Sequence, residues 1–127
     1  ASGNIGQMDE IIKNKPEGFD VISGDDGITF PLITLGAVGV ISVLGNAFPA
    51  EFSKMNRLAL EGNYAEALTI HHQFTEIINL LFADGNPAGA KAMLNIMGMC
   101  ENKLRLPLVP AREVTYEKLR AAWEALK

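Results

Sequence analysis

Apolar positions change their period twice along this chain, and the changes mark its elements. Residues 7–14 carry Met8, Ile11 and Ile12 on one helical face. Lys15-Pro16-Glu17-Gly18 ends that helix, because proline cannot continue it and glycine permits the turn. Residues 19–23 are a short β-branched run that predicts a buried strand. It stops at Gly24-Asp25-Asp26. Residues 27–35 predict a short helix, and residues 39–44 a second strand that stops at Gly45-Asn46. The two runs repeat at an offset of 19 residues, Val21-Ile22-Ser23 to Val40-Ile41-Ser42. That offset suits a parallel crossover through a helix of two to three turns.

Beyond Asn46 only helical spacing remains. Pro49 opens a helix to about Glu61, stopped by Gly62. Residues 64–84 form a long helix with Ala67, Leu68, Ile70, His71, Phe74, Ile77, Ile78, Leu81 and Phe82 in register. Asp84-Gly85-Asn86-Pro87 turns the chain into a helix over 87–98. Residues 104–110 are extended, since each proline restricts its predecessor. A last amphipathic helix, 115–126, turns Leu119, Ala122, Trp123 and Leu126 inward. Two β/α units are thus followed by four helices.

Composition narrows the function. The chain has 127 residues and 48% apolar content, enough for a packed core. Its 11 basic and 15 acidic residues give a net charge of −4. No basic run marks a nucleic-acid partner. Cys100 is the only cysteine, so no internal disulfide forms, which fits a reducing, cytoplasmic setting. Residues 28–44 carry no charge, but the stretch is short and broken by Pro31, Gly36 and Gly39, so no membrane span is expected. No signal-peptide pattern opens the chain.

Polar residues gather at the carboxyl ends of both predicted strands, the edge that carries chemistry in barrels of alternating strands and helices. Of the adjacent carboxylates, Asp26 is expected to cap the helix that follows. Adjacent strand residues point to opposite faces, so Asp25 and Asp26 do not readily share one ion. Gly24 allows a ligand to approach the backbone closely. By periodicity alone Ile41 is a core residue. Asn4 is expected to cap the first helix. His71 and His72 face about 100° apart on a helix, the wrong spacing for a shared metal, and no metal is expected. Lys91 lies within a helix rather than at a strand end and reads as structural. Cys100 has no histidine motif that would activate it.

Ser23-Gly24-Asp25-Asp26, Gly39-Val40-Ile41-Ser42, Asn86-Pro87 with Lys91, and Arg105-Leu106-Pro107 occur in an order and at spacings that resemble the dihydrodipicolinate synthase family. The resemblance covers nearly the whole chain but only the C-terminal part of that family's barrel. It implies an α/β fold: the last two or three βα units of a (β/α)8 barrel, residues 1–47, then the last barrel helix and a C-terminal helical region, residues 48–127. A complete barrel of this kind needs about 250 residues.

The family carries Lys-Glu directly before an Ala-Ser-Gly-Asn segment, so its Schiff-base lysine would fall two residues before Ala1. The resemblance implies a lyase of lysine biosynthesis that condenses pyruvate with aspartate semialdehyde, without a cofactor. Ile41 and Gly24 would line the pyruvate site, supported by Ser2, Gly3, Asn4 and Asp25. No catalytic residue would lie in this chain, because Tyr64 and Tyr116 do not match the family's proton-relay tyrosine. The implied partners are the N-terminal half of the same barrel and further copies, in a dimer or tetramer. Two other readings stand beside this one: a related pyruvate-dependent aldolase such as N-acetylneuraminate lyase, favoured less by Ser-Gly-Asp-Asp and Arg-Leu-Pro, and a helical interaction module without catalysis.

Overall fold

The computed structural model describes all 127 residues. Its elements are helices α1 (Ile5–Asn14), α2 (Thr29–Leu35), α3 (Pro49–Leu60), α4 (Tyr64–Phe82), α5 (Ala88–Ile96) and α6 (Glu113–Glu124), with short 3-10 turns at Asp26–Ile28 and Leu44–Asn46. The chain forms two compact units. One joins residues 1–42 with 50–73, and the other joins 43–49 with 74–127. No helix is long and apolar enough to cross a membrane.

In the first unit the two predicted strands lie side by side and parallel, but they are shorter than expected. Their pairing reduces to one bridge, Ser23 with Val40. Three backbone bonds hold it: Val38 N–H to Val21 O at 2.9 Å, Ser23 N–H to Gly39 O at 2.8 Å, and Ile41 N–H to Ser23 O at 2.9 Å. Nor is the first segment buried throughout. Ser23 is buried, whereas Phe19 and Ile22 are more than half exposed. A strand of a parallel sheet is covered on both faces and paired on both edges. Here a single bridge joins the two segments, and Ile22 is left about half exposed.

The crossover also departs from a single helix over 27–35. A 3-10 turn comes first, and α2 begins at Thr29. Gly36 closes α2 in the left-handed conformation (φ 112°), its N–H bonding back to the last turn. A β-carbon there would lie 3.1 Å from Ile12 Cγ2, so glycine also lets α1 pack closely on α2. Phe30 of α2 meets α4 through Tyr64, edge to face at 6.3 Å, and through His71 at 5.7 Å.

The second unit is built on the carboxyl half of α4. Phe74, Ile77, Ile78 and Leu81 are buried there, with Ala92 and Met93 of α5 and Leu119 of α6. Phe48 packs at a tilt against Phe74 (ring centroids 4.9 Å apart) and Trp123 (5.6 Å). Gly89 sets the approach of α5 to α4: a β-carbon at this position would stand 2.7 Å from Leu81 Cα and 2.6 Å from its carbonyl carbon. Asp84 fastens the end of α4 to the start of α6. Its carboxylate accepts from the Arg112 backbone N–H at 2.8 Å and from Arg112 Nε at 2.6 Å.

Candidate functional site

The Ser23–Val40 bridge fixes which strand-end residues meet. Parallel register advances both segments together, so one step beyond the bridge sets Gly24 opposite Ile41. Having no side chain, Gly24 lets a neighbouring group come close to its backbone. Ile41 is 78% exposed, which overturns the core position that periodicity suggests. Its amide is committed to the Ser23 carbonyl. The Ile41 N–H is therefore already satisfied within the chain. The chain's first residue comes to the same place: a β-carbon on Gly24 would stand 3.4 Å from Ala1 Cβ and 3.7 Å from Ala1 N. Gly24, Ile41 and Ala1 thus converge at one strand-end edge.

A hydroxyl network that sequence reading missed holds this edge in shape. Ser23 Oγ donates to the Asp25 carbonyl at 3.0 Å and accepts the Asp25 N–H at 3.2 Å. Thr29 Oγ1 lies 2.7 Å from the same carbonyl and 3.0 Å from Ser23 Oγ. Both hydroxyls are buried, so each hydrogen bond offsets a desolvation that would otherwise be costly. The legible signal was a serine two before and a threonine four after Asp25, the local spacings at which short hydroxyls bond backbone.

The cap of the following turn is Asp25, not Asp26. Asp25 Oδ1 accepts the Gly27 N–H at 2.9 Å. The helical stretch starts at Asp26, one residue earlier than expected, and that shifts the capping position back by one. Asp26 is buried instead.

Ser2, Gly3 and Asn4 form an exposed turn ahead of α1. Asn4 Oδ1 accepts the Gln7 N–H at 3.0 Å, as expected of a cap. Ser2 Oγ accepts from the Asn4 N–H at 3.3 Å and donates to Gln7 Oε1 at 3.2 Å. Gly3 adopts a left-handed φ of 72°.

The histidine pair, Cys100 and Tyr116 lie away from this edge. His71 and His72 have ring centroids 5.6 Å apart. Burial, and then the neighbouring His72, hold the His71 imidazole below its usual pKa. No group of three or more histidine, cysteine or acidic side chains is placed to hold a metal ion. The Cys100 carbonyl accepts from Asn95 Nδ2 at 2.8 Å, and Asn95 Oδ1 accepts from the Tyr116 hydroxyl at 2.6 Å. Tyr116 and Cys100 thus pin the loop after α5 to α6.

Comparison with known proteins agrees with this geometry. The profile of the dihydrodipicolinate synthetase family matches residues 1–126. The 4-hydroxy-tetrahydrodipicolinate synthase of Phocaeicola vulgatus is 76% identical over 127 residues, which is all of this chain and 43% of the relative. That of Parabacteroides distasonis is 78% identical over 120 residues, 94% of this chain and 40% of the relative. The chain therefore spans about two fifths of the length of these relatives. Among solved structures, dihydrodipicolinate synthase from Aquifex aeolicus superposes with a TM-score of 0.94 at 38% identity, covering 99% of this chain and 43% of the other. A chloride-inhibited dihydrodipicolinate synthase from Acinetobacter baumannii in complex with pyruvate gives 0.93 at 33% identity, covering 98% and 43%. With nearly every residue inside the profile and the backbone superposing throughout its length, the chain belongs to the dihydrodipicolinate synthetase family.

Proposed function

We propose that this chain is the C-terminal part of a (β/α)8 barrel lyase that condenses pyruvate with aspartate semialdehyde, and that it contributes one wall of the pyruvate pocket. In this reading residues 1–47 are the last barrel units. Residues 48–127 are the last barrel helix and a helical extension. One observation carries the proposal: Ala1 lies against Gly24 at the position where Gly24 faces Ile41. A lysine two residues before Ala1 would then belong to the neighbouring strand, beside that edge. The relatives' names and the pyruvate bound in the Acinetobacter baumannii enzyme support the same substrate.

The chemistry asked of the chain is modest. A desolvated lysine of lowered pKa attacks the keto carbon and loses water to give an imine. Proton loss gives an enamine, which adds to the aldehyde. Gly24 admits the keto acid close to the backbone, and Ile41 bounds it. The Ser23–Asp25–Thr29 network keeps the edge rigid, which preserves the attack geometry. The isolated 127-residue chain is inactive, and the complete enzyme works as a dimer or tetramer.

Borohydride reduction of the full-length protein with pyruvate, followed by peptide mapping, tests this. The expected adduct is on the lysine two residues before Ala1. An adduct on any of this chain's own lysines, or none at all, would contradict it.

A further inference from the structure

The stretch 85–112 reverses the charge of an acidic chain. It holds four of the eleven basic residues, Lys91, Lys103, Arg105 and Arg112, and one of the fifteen acidic residues, Glu101. Three of those cations line a single open groove of about 390 Å³, walled also by Pro87, Leu104 and Leu108. Their carboxylate partners are few. Arg112, outside the groove, is taken by Asp84. Lys103 meets Glu101 at 2.7 Å, with both side chains largely exposed, an arrangement worth little. Lys91 and Arg105 have no acidic partner within the chain. Pro87, at the amino end of α5, lies on the same wall, and Lys91 sits one turn in, its N–H bonded to the Pro87 carbonyl at 2.9 Å. The positive end of the helix adds to the field of the three side chains.

Holding three cations around one groove costs repulsion that a multivalent anion relieves. The volume lies near the lower end of the roughly 300–1,000 Å³ of small-molecule sites, and such sites combine apolar walls with a few polar anchors. Leu104, Leu108 and Pro87 provide the walls. A monovalent ion would offset only one of the three positive charges and leave the apolar wall unused. A nucleic acid needs a continuous basic track, and the chain's other basic residues lie among an excess of acidic ones.

We propose that this groove binds a small organic dianion with a short carbon skeleton, a dicarboxylate or a phosphate monoester. Lys91 and Arg105 anchor the charge, and Leu104 and Leu108 contact the carbon part. The proposal stands independently of the pyruvate reading of Gly24 and Ile41.

Calorimetric titration of the full-length protein tests it, with succinate and glycerol 3-phosphate as probes and acetate as the monoanion comparator at matched ionic strength. At least one dianion should saturate in the millimolar range or tighter, well below acetate, and whichever does identifies the anchored group. The double variant Lys91→Gln/Arg105→Gln should weaken it by about tenfold, as expected for the loss of two partly exposed charge contacts. Arg105→Gln alone should weaken it by less, and it keeps the test decisive if the double variant unfolds. Lys118→Gln, on α6, should leave it unchanged. No saturation of either dianion by about 20 mM, equal binding of acetate, or unchanged affinity in the groove variants would overturn the proposal.

Discussion

Ile41 shows how a residue can be apolar, adjacent to a chain pairing and still not core. Its amide is fixed in the bridge while its side chain stands 78% exposed. In the full-length protein Ile41→Val should change stability by no more than the ~0.5–1.5 kcal/mol typical of that trimming and leave the pyruvate Michaelis constant nearly unchanged. Ile41→Phe should raise that constant strongly with the melting temperature retained. A folded Ile41→Phe enzyme with normal pyruvate kinetics would remove Ile41 from the site. Gly89 makes the opposite kind of claim. Its missing β-carbon is what lets α5 approach the Leu81 backbone, so Gly89→Ala should destabilise by at least the ~1–3 kcal/mol of overpacking. Thermal denaturation showing no loss would mean the two helices slide apart freely. The Asn4 cap was readable in sequence because a single polar residue precedes a clear helical period. The Asp25 cap was not, because two adjacent aspartates compete and a 3-10 turn shifted the start.

Helices were more legible than strands. The stops at Gly62 and at Asp84-Gly85-Asn86-Pro87 and the 3.6 period fix α3 to α6 to within a few residues, since a helix satisfies its own backbone. A strand draws its bonds from neighbours, and here 19–23 and 39–44 share a single bridge. What no periodicity could show was the tie between Asp84 and Arg112, 28 positions apart. Hydrogen bonds from Arg112 and Thr115 hold the Asp84 carboxyl at about 2, against an ordinary value of 3.8. A depressed carboxyl contributes stability that is complete above the ordinary value and is lost as pH falls toward about 2. The stability gap between the native protein and Asp84→Asn should therefore be constant near neutrality and narrow between about pH 4 and pH 2. Denaturation profiles that stay parallel through that range would show the tie to be electrostatically silent.

At the scale of the whole molecule, the chain spans about two fifths of its relatives. The first unit leaves Phe19, Ile22, Val38 and Ile41 exposed around its parallel pair. Unpaired edges and bare apolar faces seek partners. The 127-residue chain alone should self-associate or bind the missing barrel half rather than remain a monomer. Sedimentation of a single monomeric species with a cooperative thermal transition would contradict this. The sequence resemblance carried the family. It did not carry the Ser23–Thr29 network, whose partners become visible only once the turn is folded. The central claim, that Gly24 and Ile41 wall the pocket of a lysine preceding Ala1, is tested most directly by a crystal structure of the full-length protein after borohydride trapping with pyruvate. The reduced adduct is expected on that lysine, with its carbon skeleton within about 4 Å of the Gly24 backbone and of Ile41. An adduct on another lysine, or one that leaves Gly24 and Ile41 out of contact, would contradict it.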